Sequence, residues 1–225
     1  MHTSNPWLQL DFTDPVVAPC DQAAINRLSP SDRDNVFLDL YPEPFIGDPD
    51  ADVYLLNGNP GYSDQDNCFS CPSVMSSFMA DVYSHKDRSF FWNDGNRPVR
   101  ATCLRTGRSI VHQGQVYWQR RLQELTEAVG HNPRLFELEF FPYHSKDFYG
   151  FMKEPLPSFD YTRSLVEDAM RKGKAIFILR HKAEWESAVP NLKTYHTFSL
   201  ISPRSTYLTK NNMCREAWNA LLEKC

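Results

Sequence analysis

Four short apolar segments, each followed at once by a polar turn, constrain the fold of this chain more than any other feature. Their residues favour β-strands, and the sequence between them shows the spacing of apolar residues that is typical of helices. Strands that alternate with helices run parallel, with right-handed crossovers between them. The sequence therefore predicts an α/β fold, a three-layer α/β/α sandwich around a central four-stranded, mostly parallel sheet. The predicted strands are residues 52–56, 135–141, 174–179 and 194–200.

The predicted helices have recognisable start and stop residues. Asp160 caps the start of one helix, and Gly130 ends another. The stretch 86–115 lacks helical or strand spacing and is predicted to be a loop with little regular structure. The chain is predicted to form one domain over residues 1–225, in which residues 1–50 are an acidic N-terminal extension with short helices. The predicted helices are residues 21–28, a segment that begins near residue 31, and residues 72–83, 116–129, 160–173, 182–189 and 212–223.

Charge is unevenly distributed along the chain. The net charge of −4 argues against a protein covered with cations for non-specific nucleic-acid binding. Residues 1–66 carry 12 acidic and two basic side chains, whereas residues 86–121 carry eight basic and two acidic ones. Such segregation lets one face attract a polyanion. A solvated basic loop explains the same pattern equally well.

Several classes of protein are disfavoured by what the sequence lacks. No segment approaches the roughly 20 consecutive apolar residues of a membrane span, and the first residues lack the pattern of a secretion signal. We therefore expect a cytoplasmic protein with no membrane partner, whose six cysteines are reduced thiols. Cys68 and Cys71 have the spacing of a metal site, but a closed structural site needs four ligands. No metal and no other cofactor is expected.

The loops that follow the predicted strands are the candidate ligand-binding segments, because ligands of parallel sheets bind at the carboxyl ends of the strands. These loops are residues 57–66, 142–148, 180–181 and 201–212. The first places amide, hydroxyl and carboxylate groups on a tight turn whose glycines let a ligand approach the backbone, although a plain Asn-Gly turn has the same sequence. It lacks the Gly-Lys-Ser/Thr ending of a P-loop and the G-x-G-x-x-G pattern of a dinucleotide fold. Both nucleotide-binding classes are therefore disfavoured.

The pentapeptide NGNPG at residues 57–61 resembles the G-x-N-P-G first motif of the mismatch-specific and single-strand-selective branches of the uracil-DNA glycosylase superfamily, at the same place after the first core strand. Residues 44–52 resemble the lead-in that superfamily members often carry before this strand. Residues 68–70 resemble the segment whose phenylalanine stacks on the flipped base. Residues 202–212, which begin with Ser-Pro-Arg, resemble the second motif. The resemblance covers residues 40–225.

This resemblance implies a DNA glycosylase, which flips a damaged or deaminated base such as uracil out of DNA and releases it by hydrolysis. Cleavage develops negative charge on the leaving base, so the enzyme needs a residue that positions water and donors aimed at the base. Asn59 matches the family's water-positioning residue, and Ser202 is the catalytic candidate of the second motif. The candidate substrate-binding residues are Asn57, Gly58, Tyr62, Phe69, His144, Arg204 and Ser205, and the candidate DNA contacts are Lys146, Tyr207 and Lys210.

The sequence departs from the superfamily pattern at two places, which keeps other functions open. Residues 200–201 replace the histidine or asparagine of the second motif, and the second strand carries Glu137 and Glu139 where family members often have an asparagine that reads uracil. These departures favour a catalytically weak or inactive nucleic-acid-binding or regulatory protein on the same fold. The acidic total charge favours a hydrolase of free nucleosides or nucleotides. A core position for Phe69 and a simple hydrogen-bonded position for His144 are the alternatives for these two residues.

Overall fold

A computed structural model of the chain describes residues 3–12, 15–66, 72–90, 100–102 and 109–225. Within them the protein is a mixed α/β fold with a five-stranded, mostly parallel sheet, a two-stranded sheet and seven α-helices. The strands are β1 (Phe45–Gly47), β2 (Val53–Asn57), β3 (Arg100–Thr102), β4 (Ser109–Val111), β5 (Leu135–Glu139), β6 (Ala175–Ile178) and β7 (Thr197–Ser199). The helices are α1 (Gln22–Asn26), α2 (Pro30–Arg33), α3 (Pro72–Tyr83), α4 (Gln113–Val129), α5 (Phe159–Arg171), α6 (Lys182–Ala188) and α7 (Arg215–Lys224). None of these described helices is both long and apolar enough to cross a membrane.

The large sheet has the strand order β1-β5-β2-β6-β7. β5, β2, β6 and β7 pair in parallel, and β1 pairs antiparallel with β5 at the edge. These four parallel strands lie within the predicted segments or extend one residue beyond them. The prediction of a four-stranded sheet is wrong, because β1 adds a fifth strand.

β1 escaped prediction because its sequence has the signal of an extended connection. It has three residues and follows Pro44, and a proline beside a strand indicates an edge strand or a turn. It ends at Gly47, which has a φ of 98° and packs so close to β5 that a Cβ would collide with the backbone oxygen of Leu135. Glycine is therefore required at this position for both conformation and space.

One hydrophobic core joins the sheet to the helices and to the N-terminal segment. β2 and β5 are buried along their full length. Trp7 and Ile25 of the first fifty residues are buried in the same core. Asp21, which is also buried, accepts hydrogen bonds from Ser158 N at 2.8 Å and from Tyr143 Oη at 2.9 Å. The acidic N-terminal segment is thus packed onto the rest of the protein by apolar contacts and by a buried carboxyl.

The basic stretch contains regular structure that the sequence did not predict. β3 and β4 form an antiparallel ladder, so the prediction of a loop is wrong for residues 100–102 and 109–111. α4 begins at Gln113, three residues earlier than predicted, because His112 caps its first turn. Histidine is not among the preferred capping residues, so this helix start has no strong sequence signal.

Candidate functional site

A cavity of about 440 Å³ opens at the carboxyl ends of β2, β5 and β6. Its lining comes from the loops after these strands, the first turns of α4 and the segment before β1. This is the edge of the sheet at which parallel α/β folds bind ligands. The cavity brings together five of the predicted site residues, namely Asn57, Asn59, Tyr62, His144 and Lys146.

Backbone hydrogen bonds join the loop after β2 to the loop after β5. Phe141 N donates to Gly58 O at 2.8 Å, and Ser145 N donates to Pro60 O at 3.2 Å. Gly58 lies beneath the ring of His181, where a Cβ would be only 2.5 Å from the ring carbon Cδ2. Gly58 therefore allows the loop after β2 to pack closely against His181, which lies in the loop after β6. Gly58 is not part of the cavity lining.

The side-chain amide of Asn59 is held in one orientation. Its Nδ2 donates to Ser145 Oγ at 2.7 Å and to Pro60 O at 3.1 Å. Ser145 Oγ donates its own hydrogen to Asp147 O at 2.6 Å, so it can only accept from Asn59. This relay identifies which end of the amide is the nitrogen. Asn59 Oδ1 is left to accept a hydrogen bond from a ligand or from water.

Two glutamates and one asparagine form a buried polar floor. Glu137 and Glu139 project from the same face of β5, and their side chains share a hydrogen bond. Burial raises the pKa of Glu137 to about 8, and burial together with the charge of Glu137 raises the pKa of Glu139 well above its usual range. Asn57 Nδ2 donates to Glu139 Oε1 at 3.2 Å, and within the described residues the buried Asn57 Oδ1 has no hydrogen-bond partner. Asn57 and Glu139 both line the cavity, so they form its polar floor.

A second polar cluster lines the wall beside the start of α4. Glu43 Oε1 lies 3.6 Å from His144 Nε2 and 3.8 Å from His112 Nε2. Burial raises the pKa of Glu43 to about 7, although the neighbouring His144 lowers it. Burial lowers the pKa of His112 to about 3, so this ring is neutral at neutral pH. The cavity therefore contains a carboxyl group that titrates near neutrality.

Aromatic rings and cationic side chains complete the lining. Tyr62 stacks on Phe37 with ring centroids 3.5 Å apart and an interplanar angle of 3°. Lys146 Nζ lies 5.5 Å from the centroid of the Tyr62 ring. On α4, the guanidinium of Arg121 lies 3.3 Å from the centroid of the Tyr117 ring. Aromatic faces of this kind can stack on nucleobases, and the cations can contact phosphates.

The loop between β7 and α7 lies beside the cavity, and its predicted site residues do not line it. The loop is tied to α4 by the buried Thr206, whose Oγ1 accepts a hydrogen bond from Arg121 Nε at 2.7 Å. Its predicted site residues are exposed or half-buried, so the structure does not bring them together with Asn59. They are Ser202, Arg204, Ser205, Tyr207 and Lys210.

Three residues singled out in the sequence lie outside the described residues. They are Phe69, the predicted stacking residue, and the pair Cys68 and Cys71. In the part of the chain that the structure describes, no group of three or more His, Cys, Asp or Glu side chains is placed to hold a metal ion.

Sequence reasoning missed three residues that line the cavity. Glu43 lies between two prolines ahead of β1, and His112 caps α4, so neither follows a predicted strand. Both reach the cavity through long-range contacts that have no local signal. Glu139 was noted in the sequence as a departure from the family pattern and was not assigned to a site. A buried strand with two acidic residues on one face is the signal that could have identified it.

Comparison of the chain with protein-family models, with curated proteins and with solved structures finds no match.

Proposed function

We propose that this protein is a DNA glycosylase that takes a flipped, damaged or deaminated base, such as uracil, into the cavity and releases it by hydrolysis. The proposal includes membership of the uracil-DNA glycosylase superfamily and a single three-layer α/β/α domain. It is supported by the placement of the NGNPG motif after the first parallel strand and of the Ser-Pro-Arg loop after the fourth. The observation that carries it is the fixed amide of Asn59, whose Nδ2 is bound by Ser145 and Pro60 and whose Oδ1 would accept a hydrogen bond from the attacking water.

The chemistry of the cavity suits a nucleobase. Asn57 and Glu139 would place polar groups at the edge of a base on the cavity floor, and Tyr62 contributes an aromatic ring to the cavity lining. Such contacts offset the few kcal/mol that unstacking of a base costs. The raised pKa of Glu139 favours its protonated form, which would donate to the leaving base as negative charge develops there.

Nucleic-acid binding without turnover is the second candidate function. It is favoured by the exposed positions of Ser202 and Arg204, which leave the predicted support for the leaving base outside the cavity lining. A protein of this kind binds DNA with an affinity that falls steeply as salt is added, and it releases no base.

Substitution of Asn59 tests the proposed function. We expect Asn59→Ala to slow base release by about 100-fold or more, because water loses its orienting acceptor, while DNA affinity stays nearly unchanged. Release is measured under single-turnover conditions from labelled single- and double-stranded oligonucleotides that carry uracil, hypoxanthine, xanthine or mismatched thymine. The matched control is Asn191→Ala, the same change at an exposed position outside the cavity lining.

Two outcomes of this experiment contradict different parts of the proposal. Equal release by the wild type and Asn59→Ala removes Asn59 from the mechanism. Absence of release from every oligonucleotide, with salt-sensitive DNA binding retained, favours the second candidate function.

Ser145 is expected to act as a positioning residue for Asn59. Ser145→Ala removes the acceptor that holds the amide, so kcat for base release should fall roughly 10- to 100-fold while KM is unchanged. The double variant Ser145→Ala/Asn59→Ala should be no slower than Asn59→Ala alone, because both substitutions remove the same interaction. If the fold-reductions in kcat of the two single variants multiply in the double variant, Ser145 acts independently of Asn59. Urea unfolding of each variant controls for a loss of stability.

A further inference from the structure

The function proposed above does not account for Glu43, a cavity-lining carboxyl whose side chain is 14% exposed. The ring nitrogens Nε2 of His112 and His144 lie 3.8 Å and 3.6 Å from Glu43 Oε1, beyond direct hydrogen-bond distance. We propose that Glu43 is the general base of the hydrolysis, the group that takes a proton from the attacking water. The inference rests on the proposed function and supplies a base that the amide of Asn59 cannot be.

The backbone around Glu43 is fixed. Prolines stand on both sides of it, at positions 42 and 44, and each restricts the chain. Glu43 N donates to Pro142 O at 2.8 Å, and Glu139 N donates to Pro44 O at 3.0 Å. The carboxyl of Glu43 is thus carried by a segment bonded to the loop after β5 and to the end of β5 itself. A catalytic group gains most from such preorganisation.

Glu43 and Asn59 lie beside consecutive residues of the loop after β5. His144 Nε2 lies 3.6 Å from Glu43 Oε1, and His144 Nδ1 donates to Gly61 O at 2.7 Å. The next residue, Ser145, accepts from the amide of Asn59. The carboxyl and the amide both line the cavity next to this loop.

The start of α4 determines which nitrogen of His112 carries the hydrogen. Gly114 N donates to His112 Nδ1 at 3.2 Å, so Nδ1 carries no hydrogen and the neutral ring has its hydrogen on Nε2. The positive end of the helix dipole also disfavours a charged ring at this position. Nε2 is the nitrogen that faces Glu43 Oε1. His112 thus faces the carboxyl with a neutral ring and does not compete for its proton.

His144 presents both ring nitrogens to carbonyl oxygens. Nδ1 and Nε2 lie 2.7 Å from Gly61 O and 3.0 Å from Tyr41 O, respectively. Carbonyl oxygens only accept hydrogen bonds, so each ring nitrogen acts as a donor in the contact that it makes. His144 is also the neighbour that lowers the pKa of Glu43.

The surroundings of Glu43 place its titration near neutrality. Burial raises the pKa of Glu43, His144 lowers it and Asp66 raises it, to about 7. A general base is most effective when its pKa is close to the working pH. The other ionisable groups that face Glu43 are His112 before α4, Glu137 and Glu139 on β5, and Tyr83 on α3.

The proposed step consumes one water. A proton of the water passes to the Glu43 carboxylate as the water oxygen bonds to the sugar carbon C1′. The bond between C1′ and the base nitrogen breaks, and its electron pair stays on the base, which takes a proton from Glu139. Asn59 Oδ1 accepts a hydrogen bond from the second hydrogen of the water. The proton on Glu43 then returns to Glu139 through solvent, so no proton is gained or lost overall.

The pH dependence of base release tests the role of Glu43. For the wild type, kcat/KM should rise about tenfold per pH unit below a midpoint near the value of about 7 given above, because only the carboxylate accepts a proton, and it should fall again once the pH is high enough for Glu139 to lose the proton that it gives to the base. Glu43→Gln should slow release by about 100-fold or more and remove this acidic limb. DNA affinity should stay nearly unchanged. The matched control is Glu154→Gln, which makes the same change at an exposed position outside the cavity lining.

A second variant distinguishes loss of the catalytic carboxylate from loss of the folded structure. Glu43→Ala should regain part of its activity in added formate, which supplies a carboxylate to the emptied position, and Asn59→Ala should not. Suppose that Asn59→Ala slows base release but Glu43→Gln keeps the wild-type dependence of kcat/KM on pH. This result would overturn the role of Glu43 and would leave the proposed function intact. A wild-type kcat/KM that does not change between pH 5.5 and 8 would also overturn the role of Glu43. Absence of release from every substrate overturns the proposed function, and the inference with it.

Discussion

Replacement of Trp185 with alanine is expected to lower the free energy of unfolding by about 3 to 5 kcal/mol. The side chain is fully buried on α6. Its ring centroid lies 5.3 Å from that of Phe140 and 5.5 Å from that of Phe159. Its Nε1 donates to Asn57 O at 2.6 Å, at the end of the strand that leads into the NGNPG loop. The substitution therefore opens a cavity in the core and leaves a buried carbonyl without its donor. Urea unfolding followed by far-ultraviolet circular dichroism measures the loss.

Trp185→Phe separates the two contributions. Phenylalanine keeps much of the apolar volume and cannot donate to Asn57 O, so we expect a smaller loss of about 1 to 3 kcal/mol. Equal losses in the two variants would assign most of the effect to the hydrogen bond. A loss below about 1 kcal/mol in Trp185→Ala would contradict the packing seen around this ring.

The free energy of unfolding is expected to fall as the pH rises from about 6.5 to 8, by several kcal/mol in total. Glu137 and Glu139 have pKa values raised above those of the unfolded chain. A carboxyl of this kind contributes stability that is complete below its unfolded pKa and is lost as the pH rises through its folded pKa. Each such proton changes the free energy of unfolding by roughly 1 kcal/mol per pH unit.

The fall in the free energy of unfolding is expected to begin near pH 6.5, because histidine ionisation opposes it at lower pH. His112 has a lowered pKa, so its contribution increases with pH and is complete once the unfolded histidine has lost its proton, at about pH 6.5. Above that pH the buried carboxyls determine how the free energy of unfolding changes. Glu43 lowers it with rising pH, as Glu137 and Glu139 do. The double variant Glu137→Gln/Glu139→Gln should therefore show a flatter profile, whereas Glu154→Gln should follow the wild type. A wild-type profile that does not fall between pH 6.5 and 8 would mean that the pair ionises at little cost.

The parallel core of the fold was predictable from the sequence because its signals are local. Short apolar segments followed by turns indicated the four parallel strands, and β1 was missed because three residues beside a proline resemble a connection. Asn59, His144 and Lys146 lie in loops that follow strands whose ends share one edge of the sheet, and Asn59 was also predicted from the resemblance of its motif.

The rest of the site depends on contacts that a single sequence does not encode locally. Glu43 and His112 are distant in sequence and meet only where the segment before β1 packs against the start of α4. The loop after β7 also follows a strand, yet Thr206 ties it to α4, and Ser202 and Arg204 are left exposed. Recognition of DNA and of a particular base remains a prediction, which the oligonucleotide panel tests.

The docking of the N-terminal segment has a consequence for the order in which the protein assembles. Ala18 donates to a tyrosine 125 residues further along the chain, and Asp21 accepts from Ser158, 137 residues away. A ribosome that adds 5 to 20 residues per second takes about 7 to 27 seconds to synthesise that intervening length. The N-terminal segment is therefore synthesised before the residues that it packs against. Its excess of negative charge opposes association with the same segment of other nascent chains during this time, because like charges repel.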